Sequence, residues 1–242
     1  MKKLLTLTIP FLFAFGVTAS ATTLQITGTV FEAGPVAGGG FGGGFSGTMN
    51  AAVPVTVYCV DIAEGFNLNQ VYTINMNTIL PSTTNFVDQT HLGDFTGTWQ
   101  YFNGTYTALQ RYEMAGYLST QYAGAANQAA KDAIQEAMWS LLDANVSLSY
   151  GCQNAGACNT DVTSAFSALP SFVANHTVTI YTDARSACTA FGSGGAAPSA
   201  SGCMQEFVTT AAVPEPGSAS LMSIGGLLVG LGVLRKRKLA RS

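Results

Sequence analysis

The chain has 242 residues, of which 48% are hydrophobic and only 10% are charged, and its formal net charge is −3 at pH 7. Between Lys3 and Arg235 it carries three Lys and Arg residues against thirteen Asp and Glu residues, a net charge near −10. A surface of this sign repels phosphate backbones, which excludes nucleic-acid binding, and the high apolar content argues against a disordered chain.

The first 21 residues have the three-part pattern of a secretory signal peptide. Lys2 and Lys3 precede an apolar run over residues 4–17, and small residues follow up to Ala21. We therefore expect signal peptidase to cleave after Ala21 and residues 22–212 to form an extracytoplasmic body. An N-terminal membrane anchor is the alternative, but the apolar run is short and no basic stop follows it.

Strand patterns dominate the two ends of this body. Residues 24–31 alternate in side-chain type, as a half-buried strand does. Residues 37–47 are rich in glycine, and neither a Lys nor a helix start follows them, so we expect a flexible loop there and not a phosphate-binding loop. The further strand-like runs are residues 53–62, 70–76, 177–182 and 206–210.

Two to three helices are predicted in the middle of the body. The first covers residues 108–122, and the second runs from a cap at Asn127 to about residue 145. A weaker third helix covers residues 161–173, in which Pro170 must lie near an end or at a kink. The sequence thus predicts an α+β domain: a mainly antiparallel β sandwich or barrel with a helical segment inserted.

Export places the body in an oxidising compartment, where cysteines are expected to pair. The preferred pairing is local, Cys152 with Cys158 and Cys188 with Cys203, although the other connectivities of these four cysteines stay open. Cys59 is then left over. It is a buried thiol, an intermolecular bridge or a reactive group.

Two motifs bear on the role of Cys59: the Tyr-Cys pair at residues 58–59 and the Gln-x-Ala-Met-Trp segment at residues 135–139. With these motifs the chain resembles the thioester domains of bacterial surface adhesins, over roughly residues 53–143. The resemblance implies an internal thioester in which Cys59 supplies the sulfur and Gln135 the acyl group. The aromatic side chains expected to shield this bond from water are Tyr58, Tyr117 and Trp139.

Structural roles are the alternative for Gln135 and Trp139. Gln135 would then be a solvated position on the edge of an amphipathic helix, and Trp139 would be an ordinary core residue.

Residues 213–242 form a separate tail. An apolar stretch over residues 218–234 is roughly 25 Å long as a helix and predicts a transmembrane segment, with the following basic cluster on the cytoplasmic side. The motif before the stretch is Pro214, Glu215 and Pro216, and the basic cluster after it is Arg235, Lys236, Arg237 and Lys238. This order resembles a PEP-CTERM sorting domain. It implies processing by an exosortase in a Gram-negative bacterium and release to the cell envelope, outer surface or extracellular matrix.

Other chemistry finds little support in the sequence. His91 and His176 have no metal-ligand spacing, and no Gly-x-Ser-x-Gly motif is present, so we expect no metal, no cofactor and no enzymatic activity. The sequence predicts an exported protein that acts by surface adhesion, with a surface-protein amine or an extracellular polysaccharide as its ligand. The alternative is a passive structural or carbohydrate-binding component of an exopolysaccharide matrix, and an extracellular hydrolase is a weaker one.

Overall fold

The computed structural model describes residues 21–36, 40–61, 65–83, 90, 97–98, 105–142, 155–185, 188 and 203–213. The strands in these ranges are β1 (Thr23–Val36), β2 (Gly40–Met49), β3 (Val53–Cys59), β4 (Val71–Ile79), β5 (Gly97–Thr98), β6 (Thr105–Tyr106), β7 (His176–Asp183) and β8 (Phe207–Ala212). The helices are α1 (Ala108–Gln121), the 3-10 turn η1 (Tyr122–Gly124), α2 (Gln128–Leu142) and α3 (Ala155–Asn175).

Six of the described strands form a closed antiparallel barrel in the order β1-β2-β3-β8-β7-β4, and β5 pairs with β6 separately. All three α-helices lie between β6 and β7 in the chain. The barrel closes where β1 meets β4, with Leu24 opposite Tyr72. The junction of β3 with β8 pairs Cys59 with Phe207, so this cysteine lies where the first part of the chain meets the last described strand.

Two apolar clusters fill the molecule. One, here called the helix cluster, joins α1, α2 and α3 to the barrel wall and contains Met138 and Val178. The other, the barrel cluster, contains Cys59, Phe207 and Trp139. Trp139 is the one described helical residue in the barrel cluster, so α2 contributes to both clusters.

Local hydrogen bonds explain where the first two helices begin. Thr107 forms a capping box with Gln110, in which each side chain binds the backbone N–H of the other residue. Asn127 caps α2, since its Oδ1 accepts from the N–H of Ala130 at 3.0 Å. Both caps satisfy N–H groups that a helix leaves without partners at its first turn.

The predicted fold class included a C-terminal transmembrane helix, and the structure does not support that helix. Among the residues that the structure describes, no helix has both the length and the apolar character needed to cross a membrane. The apolar stretch from which the helix was predicted, residues 218–234, lies outside the described residues.

One local prediction was also wrong. The expected flexible loop over residues 37–47 largely belongs to β2, which pairs with β1 on one side and with β3 on the other. Hydrogen bonding to both neighbours outweighs the poor strand propensity of glycine. Pro170, which was predicted near a helix end or at a kink, lies inside α3, which extends to Asn175.

Candidate functional site

The side of α2 that faces the barrel carries the two residues on which the predicted thioester motif depends. Gln135 and Trp139 are four positions apart, which places them on one face of the helix, one turn from each other. Gln135 is 0% exposed, Trp139 is 1% exposed, and Cys59 at the end of β3 is 0% exposed. The fold therefore brings the two distant motifs together in a water-excluded place.

Three hydrogen bonds hold the amide group of Gln135. Its Nε2 donates to the backbone carbonyl of Cys59 at 2.9 Å. Its Oε1 accepts from the backbone N–H of Gly43 at 2.7 Å and from the hydroxyl of Tyr122 at 2.6 Å. The amide is thus fixed against the end of β3 at one side and against β2 and η1 at the other.

Gly42 brings the backbone of β2 against the same side chain. A Cβ atom at this position would lie 2.4 Å from Cγ and 2.6 Å from Cδ of Gln135, closer than real Cβ contacts come. Gly43 beside it has a φ of 121°, a conformation that glycine adopts without strain. Glycine at these two positions lets a strand pass over a buried amide at van der Waals distance.

The thiol of Cys59 is held by two further groups. The indole Nε1 of Trp139 donates to the sulfur at 3.2 Å, and the thiol donates to the backbone carbonyl of Asp61 at 3.3 Å. Burial raises the pKa of the Cys59 thiol far above its usual value, and the Trp139 hydrogen bond opposes this shift only in part. Cys59 therefore rests as a neutral thiol.

The three aromatic residues predicted as shields occupy different places. Trp139 contacts the sulfur of Cys59 directly. Tyr58 is half-buried and stacks on Tyr122 with the ring centroids 5.3 Å apart. Tyr117 instead packs edge-to-face against Phe172 of α3, with 5.7 Å between the ring centroids.

Sequence reasoning missed three residues of this site: Gly42, Gly43 and Tyr122. The glycines were assigned to a loop, and Tyr122 was taken only as the end of the first helix. Their proximity to Gln135 arises from the barrel register and from η1, and neither leaves a spacing signal in the sequence. The alternative in which Gln135 is a solvated helix position is wrong, because this side chain is fully buried.

Three of the four cysteines predicted to form disulfides are among the described residues. Cys188 is bonded to Cys203. Cys158 is also disulfide-bonded, and its predicted partner Cys152 lies outside the described residues. Cys59 is the free cysteine among those that the structure describes.

In the described part of the chain, no group of three or more His, Cys, Asp or Glu side chains is arranged to hold a metal ion. His176 stacks on Phe172, and its Nδ1 lies 3.2 Å from the carbonyl oxygen of the same residue. His91 and the sorting motif Pro214, Glu215 and Pro216 are outside the described residues, as are Arg235, Lys236, Arg237 and Lys238.

No protein-family model, curated protein or solved structure matches the chain. The resemblances to PEP-CTERM sorting domains and to adhesin thioester domains therefore stay predictions.

Proposed function

We propose that this chain is an exported adhesion protein of the cell envelope or extracellular matrix, and that it attaches to its partner through an internal thioester between Cys59 and Gln135. The observation that carries the proposal is the buried hydrogen bond from the Gln135 amide to the backbone carbonyl of Cys59. A free thiol and a hydrogen-bonded primary amide lie together with no exposure to water, although 76 positions separate the two residues in the sequence.

The chemistry balances without any cofactor. The sulfur of Cys59 attacks Cδ of Gln135, the thiol proton passes to Nε2, and ammonia leaves as the carbon–nitrogen bond breaks. An amine of the partner then attacks the same carbon, the carbon–sulfur bond breaks, and the proton of the amine returns to the sulfur. The product is an amide that joins the two molecules covalently.

Burial and charge both support this mechanism. A thioester exposed to water hydrolyses, so a bond stored for later use requires a site from which water is excluded. The acidic part of the chain between the two basic ends also attracts positively charged partners, among which lysine-rich surfaces carry the required amines. Export, signal peptidase cleavage and exosortase sorting at Pro214, Glu215 and Pro216 belong to the same proposal and rest on the sequence pattern.

The intact mass of the exported protein tests the thioester. We expect a mass lower by one ammonia than that of the disulfide-bonded chain, and a gain of one methylamine on incubation with that amine. Cys59→Ser and Gln135→Glu are matched controls that keep the size of each side chain, and neither should lose ammonia or take up methylamine at residue 135.

A mass without ammonia loss, together with a thiol at Cys59 that reacts only after unfolding, would remove the covalent mechanism. In that case the alternative gains support: a passive structural or carbohydrate-binding matrix component in which Gln135 only connects α2 to the barrel. Retention of the protein on polysaccharide from the producing cells would be the next measurement. The same spectra report both mature termini and so test the predicted cleavages.

A further inference from the structure

The carbonyl oxygen of the Gln135 side chain accepts two hydrogen bonds from groups that neither attack nor leave in the proposed thioester chemistry. They are the hydroxyl of Tyr122 at 2.6 Å and the backbone N–H of Gly43 at 2.7 Å. Tyr122 and Gln135 are both 0% exposed, so water does not compete for these bonds.

We propose that Tyr122 and the backbone of Gly43 form an oxyanion hole for the Gln135 carbonyl, which makes Tyr122 a catalytic residue of thioester formation and of its aminolysis. The inference rests on the proposed function, since it concerns the same bond between Cys59 and Gln135. It adds to that function the group that lowers the barrier of both steps.

When sulfur or an amine attacks Cδ of Gln135, the carbonyl oxygen becomes negatively charged in the tetrahedral intermediate. Donors already at hydrogen-bond distance need no reorganisation, and in a water-excluded site their interaction with the charge is strong. Removing one such donor typically slows acyl transfer by about 10² to 10³-fold.

The surroundings of both donors keep them directed at this oxygen. Tyr58 stacks on the ring of Tyr122 and fixes its plane. Burial raises the pKa of the Tyr122 hydroxyl well above its usual value, so the group stays protonated and acts as a donor. The φ of 121° at Gly43 sets the direction of the second donor.

Tyr122→Phe is the direct test, because it removes the hydroxyl and keeps the stacked ring. In the full exported chain we expect methylamine uptake at Gln135 to slow by about 10²-fold or more, with less thioester formed before the reaction begins. Tyr112→Phe is the matched control. Tyr112 is a second buried tyrosine, in α1, whose hydroxyl donates to Glu206 at 2.6 Å, and its loss should lower stability without slowing uptake.

The outcomes separate this inference from the function on which it rests. If the wild-type protein shows neither ammonia loss nor methylamine uptake, the thioester itself fails. If the wild-type protein reacts and Tyr122→Phe reacts at the same rate, the adhesion mechanism stands and the role of Tyr122 is overturned. A variant that is folded by circular dichroism but slow in both steps supports the inference.

A second substitution covers the case in which Tyr122→Phe does not fold. Incorporation of 3-fluorotyrosine at residue 122 keeps the ring and the hydroxyl but makes the hydroxyl a more acidic donor. A hydrogen bond that strengthens in the transition state then predicts faster uptake of methylamine than in the wild-type protein. An unchanged rate would show that this hydroxyl does not take part in the reaction.

Discussion

The amide of Gln135 shows at the scale of one residue why a fully buried polar side chain is tolerated. An amide buried without partners costs several kcal/mol relative to water, and each bond made inside the protein removes part of that cost. Here Nε2 has one acceptor and Oε1 has two donors. The side chain is therefore stable where it lies, and a change that displaces it loses all three bonds together.

Gly42→Ala makes such a change without replacing Cys59 or Gln135. The new methyl group would lie 2.4 Å from Cγ of Gln135, so the amide must move and give up its hydrogen bonds. We expect the free energy of unfolding to fall by about 1–3 kcal/mol, as for other overpacked cores, and ammonia loss to stop. Urea unfolding and the intact mass measure the two effects.

Gly124→Ala is the control for that substitution. A Cβ atom at residue 124 in η1 meets nothing within 4 Å, so the same chemical change has open space. This variant should keep the stability and the mass of the wild-type protein. Equal behaviour of the two variants would show that β2 does not pass in close contact with Gln135.

The resemblance to adhesin thioester domains implied roles for Cys59, Gln135 and Trp139. It depends on the Tyr-Cys and Gln-x-Ala-Met-Trp motifs, which are visible in the sequence. They could not point to Gly43, which contacts Gln135 across 92 positions of the chain. They could not point to Tyr122 either, since an aromatic residue at the end of a helix is ordinary. Such contacts depend on strand register, and register is a property of the whole sheet.

At the scale of elements, β2 shows where local propensity misleads. Glycine disfavours strands because it has no side chain to pack and loses much backbone freedom on folding. Its backbone still pairs with two neighbours, and the close passage over α2 requires a residue without a Cβ atom. The helices were easier to predict, because their caps and apolar stripes are local: α1 begins at Ala108 and α2 at Gln128, next to the predicted positions.

The capping box of α1 gives a prediction for that element. Thr107→Ala removes the side-chain oxygen that accepts from the N–H of Gln110 at 3.2 Å, so the first turn of the helix loses a hydrogen-bond acceptor. We expect a loss of about 1 kcal/mol in the free energy of unfolding, measured with urea. Thr120→Ala is the matched control. Its exposed hydroxyl donates to the carbonyl of Tyr117 and accepts from the side chain of Gln121 but caps no helix end, so its effect should stay near zero.

Glu113 in the same helix gives α1 a pH dependence. Burial raises the pKa of its carboxyl group from 4.5 to about 7. Between these two values the folded protein holds a proton that the unfolded chain has released, so the contribution of Glu113 to stability falls as the pH rises and is lost above pH 7. The expected loss is about 1–3 kcal/mol.

Glu113→Gln isolates this contribution, because the amide resembles the neutral acid at every pH. Urea unfolding of both proteins should give similar stabilities near pH 4.5. By pH 8 the variant should be the more stable of the two. A difference that does not grow over this interval would mean that the carboxyl group is as well solvated in the folded protein as in the unfolded chain.

At the scale of the whole molecule, the barrel joins parts of the chain that are far apart in sequence. β3 pairs with β8 through Cys59 and Phe207, and β4 pairs with β7 across the three helices. Strand order of this kind cannot be deduced from alternation patterns, which report only that a strand has one buried face. The sequence therefore left sandwich and barrel open, and only the pairing of distant strands decides between them.

The last prediction concerns the disulfide between Cys188 and Cys203, which lies in the connection between β7 and β8. Cys188 and Cys203 close a loop with a sequence separation of 15, and a crosslink over that length stabilises a fold by about 3 kcal/mol, mainly by restricting the unfolded chain. The double variant Cys188→Ser and Cys203→Ser should lose about this much in urea unfolding. The folded barrel should survive, because the carboxylate of Asp183 independently binds the backbone N–H groups of Met204 at 2.9 Å and Arg185 at 3.0 Å.

The contributions of the disulfide and of the Asp183 hydrogen bonds to stability can be measured separately. Asp183→Asn keeps the disulfide but replaces the carboxylate that also binds the guanidinium of Arg185, so it tests the folded-state contacts at the same place. The Asp183 variant should lose stability mainly near neutral pH, since hydrogen bonds from Arg185 and Met204 hold the pKa of this carboxyl below its usual value despite its burial. The cysteine variant should lose the same stability at every pH of the experiment, since neither the disulfide nor the serines that replace it titrate there. A loss below about 1 kcal/mol for the cysteine variant would mean that the unfolded chain is already compact around this loop.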